Sequence, residues 1–143
     1  MRVFVVDASL VVKWFVPERH SVAARKWLDA SHDYIAPDLI FPEIGNALWK
    51  KVRKGELSPE DAQRLIRDLS VVGVEAVSMR ALVSDAHALA VRTGITVYDA
   101  TYLTLAVRLE TQLITGDDGF ARKLAEHPLL APHVRSMEDF VTE

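Results

Sequence analysis

A chain of 143 residues, 50% hydrophobic and 26% charged, with six glycines and six prolines, has the balance of one folded domain, which excludes a disordered segment and leaves no room for a second core. The absence of cysteine excludes disulfides and thiolate metal ligands, so any metal must be held by oxygen or imidazole. A net charge of −3 excludes a uniformly basic surface, and no uncharged apolar run approaches the ~20 residues that span a bilayer, so residues 1–143 are expected to form a single cytoplasmic domain with no membrane partner.

In chain order the first predicted element is a short apolar strand, Val3 to Val6, that runs straight into Asp7 and Ser9. A helix capped by Ser21 follows, with Ala23, Ala24, Trp27 and Leu28 on one face. A strand at Tyr34, Ile35 and Ala36 precedes Pro37. The next helix carries Pro42 near its first turn, which puts Glu43 there too; it buries Ile44, Ala47, Leu48 and Val52 and ends at Gly55. Ser58-Pro59-Glu60-Asp61 opens another helix with a cap and a proline at its first position, leading into Leu65, Ile66 and Leu69.

A strand from Val74 to Val77 and a helix from Arg80 to Thr93, stopped by Gly94, come next. Asp99 opens a largely apolar helix. The strand Gln112 to Thr115 ends in Asp117, and a helix from Gly119 to Glu126 and a short strand near Val134 complete the chain. Strands separated by helical stretches predict an α/β fold with a parallel or mostly parallel central sheet and helices on both faces.

Asp7, Glu43, Asp99 and Asp117 stand in four separate segments, each where a strand ends or a helix begins. Any one of them has a local explanation, because helix N-termini favour carboxylates. Capping does not require them to converge, whereas a parallel sheet brings its strand ends to one crevice. Carboxylates gathered there repel one another unless divalent cations neutralise them, and an oxygen-only set suits one or two Mg²⁺ or Mn²⁺ ions. Setting these four acids aside turns the net charge from −3 to +1. The grouped bases Lys50, Lys51, Arg53, Lys54, Arg122 and Lys123 then read either as patches for a phosphate backbone or as solvated helix faces.

Ser9 and Thr115 sit two residues from acids and read as hydroxyls that hold those acids, or as turn residues. Asn46, one turn after Glu43, is placed to orient it, to touch substrate, or to face solvent. The five histidines show no ligand spacing, so no zinc site is expected.

The segments Val5-Val6-Asp7-Ala8-Ser9, Pro42-Glu43-Ile44-Gly45-Asn46, Val97-Tyr98-Asp99-Ala100-Thr101-Tyr102 and Leu113-Ile114-Thr115-Gly116-Asp117 resemble, in order and spacing, the four motifs of PIN domains, and more narrowly those of VapC-type toxins. The resemblance implies a PIN-like three-layer α/β/α sandwich and an endoribonuclease dependent on Mg²⁺ or Mn²⁺. It implies Asp7, Glu43, Asp99 and Asp117 as metal-binding catalytic acids and Ser9 and Thr115 as their hydroxyls, with Asp118 a competitor for the role of Asp117. It also implies RNA as substrate, a small antitoxin as inhibitor, and a homodimer.

Two other readings use the same residues. A phosphotransfer signalling domain wants paired acids by the first strand and a lysine after a late strand, neither of which is found here. A PIN-fold interaction module without activity would keep the fold and would not need all four acids.

Overall fold

The computed structural model describes residues 2–70 and 72–140; the outermost residues of the expected 1–143 domain, and Val71, lie outside them. Five strands, β1 (Val3–Val6), β2 (Asp33–Pro37), β3 (Val74–Val77), β4 (Leu113–Thr115) and β5 (Val134–Ser136), form one sheet in the order β3-β2-β1-β4-β5. Every pairing is parallel, with Val5 opposite both Ile35 and Leu113.

Seven helices flank this sheet: α1 (Ala8–Phe15), α2 (Ser21–Asp29), α3 (Ile40–Arg53), α4 (Pro59–Leu69), α5 (Met79–Thr93), α6 (Val97–Arg108) and α7 (Asp118–Ala125). From the centre the chain walks outward through β2 and β3, then crosses back over the sheet to β4. Right-handed crossovers therefore put α1 to α4 on one face and α5 to α7 on the other. The principal helix contacts sort the same way, α1 with α2 and α3, α3 with α4, and α5 with α6. The result is the expected three-layer sandwich.

Burial explains the strand and helix choices. Phe4, Val5 and Val6 are at most 1% exposed, as a central parallel strand covered on both faces requires. In α6 every residue from Ala100 to Ala106 is buried, so this helix is covered on nearly all sides and lies against the sheet at β1, β2 and β4. Trp27 of α2 packs edge-on against Phe4 with ring centroids 5.3 Å apart, and its indole N–H donates to the Met137 carbonyl at 2.8 Å.

Two local expectations are corrected. The segment Ala8–Phe15, read without an element of its own, is helix α1, capped by Asp7. Ser21 is the first residue of α2 and does not cap it: its hydroxyl donates to the Val16 carbonyl and accepts from the Glu18 N–H, while His20 at φ 70° occupies the cap position. Within α4, Ile66 faces outward at 36% exposure, whereas Leu69 is buried.

Candidate active site

Where the strand order reverses, between β1 and β4, the carboxyl ends of the two strands border a crevice. Asp7 leaves β1 at this point and caps α1, its Oδ1 accepting from the Leu10 N–H at 3.1 Å and from the Ser9 hydroxyl at 2.6 Å. The Ser9 hydroxyl also lies 3.4 Å from that of Thr115 and accepts from the Gly116 N–H at 3.0 Å. Thr115, fully buried, accepts in turn from the Asp117 N–H at 3.1 Å. Asp117 caps α7 by accepting from the Phe120 N–H at 3.0 Å. The two hydroxyls thus tie the end of β1 to the end of β4.

Gly116 permits this closeness. A Cβ at this position would stand 2.8 Å from the Ser9 carbonyl oxygen and 3.0 Å from the Leu10 nitrogen, so only glycine lets the two segments touch.

The remaining acids come from opposite layers. Glu43 lies in the first turn of α3, and Asp99 lies in the first turn of α6, where Thr96 caps the helix by accepting from the Asp99 N–H at 3.0 Å. Asp7, Glu43, Asp99 and Asp117 line one hollow of about 260 Å³, together with Ala8, Ser9, Tyr102 and Phe120. The Tyr102 hydroxyl donates to Glu43 Oε1, a contact across the two layers that the sequence gives no sign of.

Burial and crowding act on Asp7, Glu43 and Asp99 in one direction. Burial pushes Asp7 above its ordinary range, against hydrogen bonds from Ser9, Thr115, Leu10 and Gly116. Burial raises Glu43, opposed by the Tyr102 hydrogen bond and reinforced by the charges of Asp7 and Asp99. Burial also raises Asp99, with Thr96 and the cation of Lys123 opposing and Asp117 adding repulsion. The Tyr102 phenol is held well above its usual range by burial and by its acidic neighbours.

A hollow with three carboxyls pushed toward protonation, and with oxygen atoms as its only donors, fits a hard divalent cation. Asp7, Asp99, Glu43 and Asp117 are the residues that would hold it. The four do not form a tight cage. Among the described residues, the group whose donor atoms all lie within 4.8 Å of one another is His20, Asp118 and Glu138, outside this hollow. There His20 Nδ1 meets Glu138 Oε1 at 3.0 Å and Asp118 Oδ1 accepts from Ser136 at 2.8 Å, so ordinary pairing accounts for all three.

Asp118 therefore faces away from the hollow that Asp117 lines. Asn46 is exposed and lines a neighbouring hollow instead.

Residues 4–124, which include all four acids, match the PIN domain family. The chain belongs to the PIN domain family. Two relatives in it are Ribonuclease VapC3 of Pyrobaculum aerophilum, 35% identical over 121 residues that cover 83% of this chain and 92% of that one, and Ribonuclease VapC1 of Mycobacterium tuberculosis, 30% identical over 117 residues that cover 82% and 87%. A crystal structure of a P. aerophilum protein superposes with a TM-score of 0.65 at 26% identity, covering 94% of this PIN domain and 83% of that chain. A toxin-antitoxin complex from Klebsiella pneumoniae, at 15% identity, TM-score 0.61 and coverage of 96% and 99%, shares the fold.

Proposed function

We propose that this PIN domain is an endoribonuclease dependent on Mg²⁺ or Mn²⁺ and the toxin of a toxin-antitoxin pair. The observation that carries the reading is the convergence of Asp7, Glu43, Asp99 and Asp117, from four segments and two helical layers, on one hollow at the switch point of the sheet. Two relatives named ribonucleases, matched over most of their length, support it.

Bound by these acids, a divalent cation would supply an activated water and neutralise charge developing on the scissile phosphate. The chain does the rest. Ser9 and Thr115 fix the orientation of Asp7 and close β1 against β4. Tyr102 holds Glu43 in place, and the N-termini of α1, α6 and α7, aimed at the hollow through Asp7, Asp99 and Asp117, add positive ends of helix dipoles beside the phosphate. No side chain needs to act as a nucleophile.

The inhibitor on this reading is a small antitoxin protein, one of whose basic side chains enters the hollow and pairs with the acids in place of metal. The domain is a homodimer on the same reading. Phe41 and Trp49 of α3 support that part, being 48% and 53% exposed.

The test is cleavage of single-stranded RNA with Mg²⁺ or Mn²⁺, with chelator, and with Asp99→Asn. Cleavage should vanish with chelator, return with metal, and fall more than about 100-fold in the variant, beyond the usual cost of losing an outer partner of a metal. Equal cleavage by the variant, or cleavage that survives excess EDTA, would sink the assignment.

A further inference from the structure

The acidic hollow has a neighbour of opposite character. A second hollow, of about 360 Å³, is lined by Asn46, Ala47, Lys50, Lys51, Lys54 and Glu56, and shares Ala8, Ser9 and Glu43 with the first. The two therefore adjoin, separated by the start of α1 and by Glu43 of α3, and α3 runs on from Glu43 along the second hollow. Helical spacing explains the change of sign along α3: Glu43, Ala47 and Lys50 fall at i, i+4 and i+7, one stripe of the helix, and Lys54, the residue that caps its C-terminus, follows at i+11. At 1.5 Å per residue, Lys50 stands about 10 Å and Lys54 about 16 Å along the axis from Glu43.

The lysines that line this hollow are not equivalent. Lys51 is occupied, 2.6 Å from Glu18 and 3.7 Å from Glu56. Lys50 and Lys54 are exposed, and among the described residues neither has a carboxylate within 4.0 Å. Arg53, one residue away, is turned to the other side and lies over the Trp49 ring at 5.4 Å. This stripe lines a concavity that adjoins the acidic hollow at Glu43.

Four acids repel an incoming phosphate backbone until they are neutralised, so a strand bound at this site needs cations placed beside the acids and not among them. We propose that the stripe of Lys50 and Lys54, with Asn46 at its near end, is the track that holds the phosphate backbone of an RNA strand on one side of the bond placed in the acidic hollow. The inference rests on the ribonuclease reading. It adds that RNA approaches along α3, that its affinity comes from electrostatic contact to phosphates, and that Lys50 and Lys54 position the substrate without touching the reacting atoms.

The experiment measures single-stranded RNA cleavage with Mn²⁺, and RNA binding by fluorescence anisotropy in EDTA, for wild type, Lys50→Ala/Lys54→Ala and Lys50→Arg/Lys54→Arg. The alanine pair should raise KM and weaken binding about tenfold for all sequences with kcat within about twofold, and flatten the salt dependence of log K by about 1.4, two phosphates at about 0.7 each. The arginine pair should restore both. RNAs carrying neutral methylphosphonates on the 5′ or on the 3′ side of the cleaved bond provide the second arm. One of the two should lose the same affinity in wild type and lose nothing further in the alanine pair.

If the alanine pair binds RNA with unchanged affinity and salt slope while wild type cleaves RNA, the track is wrong and the ribonuclease reading stands. The track is equally wrong if the pair keeps RNA binding but escapes an inhibitory protein, because the groove then belongs to that partner. If wild type cleaves nothing, the ribonuclease reading fails separately, and the anisotropy result alone decides whether the lysines hold RNA.

Discussion

Asp7 is asked to be charged and to be buried, and the fold resolves this only in part. Hydrogen bonds from Ser9 and Leu10 favour its carboxylate, yet burial outweighs them and its proton affinity is raised above the ordinary value of 3.8. A carboxyl raised in the fold binds a proton that the unfolded chain has already released, so its cost to stability is absent below the ordinary value and grows as pH rises through the raised one. Each pKa unit corresponds to about 1.4 kcal/mol. In metal-free buffer, Asp7→Asn should therefore unfold at a higher temperature than wild type at neutral pH, with the gap closing toward roughly pH 4. Thermal unfolding in EDTA across that range checks this, and a gap independent of pH would contradict it.

Tyr102 makes the complementary case. Its ring is buried, and its hydroxyl reaches Glu43 at the edge of the hollow. Tyr102→Phe keeps the packing and frees the carboxylate, so the fold should survive while Mn²⁺ affinity, measured calorimetrically, drops about 10- to 100-fold as for other lost orienting partners. Unchanged affinity would assign the tyrosine to packing alone. The acids can be read from sequence because each sits beside a local signal, a strand end or a helix start. Tyr102 cannot, since its partner is 59 residues away. Asp117 and Asp118 are adjacent alternatives in the sequence for the same reason: only the tertiary fold turns Asp118 to Ser136.

Elements whose boundaries are set locally are the readable ones. Ser58 caps α4 by accepting from the Asp61 N–H at 3.0 Å, and Gly55 and Gly94 end α3 and α5 at φ 76° and 79°, conformations that favour glycine. Helix α1 escapes because Leu10, Val11 and Val12 continue the apolar run of β1 after a short break at Asp7 to Ser9, and a brief apolar run reads equally as strand or helix. Ser21 looks like a cap, but the left-handed residue before it redirects the chain and sends its hydroxyl back to Val16. Because α4 packs mainly on α3, away from the hollow, Ser58→Ala should cost about 1 kcal/mol in denaturant unfolding and leave RNA cleavage unchanged. A matching loss of cleavage would show that α4 bears on the site.

At the scale of the whole molecule, parallel pairing follows from alternating strands and helices, whereas the strand order that sets the switch point between β1 and β4, and the surface left over, do not. Phe41 and Trp49 are both exposed on α3, with Arg53 covering part of the Trp49 ring. For the homodimer reading, sedimentation at micromolar concentration should give twice 16.0 kDa, and Phe41→Glu/Trp49→Glu should give the monomer. A wild-type monomer would remove the idea and assign the tryptophan to its cation–π contact.

The hydrogen bond from Gly116 to Ser9 spans 107 positions in the sequence, and this gives the molecule a clock. A chain emerging from its N-terminus at roughly 5 to 20 residues per second has Asp7 available for about 5 to 20 s before Asp117 exists, and the pairing of β1 with β4 must wait as long. Asp7 and Glu43 are made early, and Asp99 only about 1 to 4 s before Asp117. The site is closed only once β4 and the start of α7 have followed all the elements from β1 to α6. A chain ended at Glu110 keeps Asp7, Glu43 and Asp99 but has neither β4 nor the Ser9 latch, and it should neither cleave RNA nor slow the growth of a cell that makes it. On the ribonuclease reading, an unfinished copy is then inert, and activity begins only when the two ends of the motif set have met.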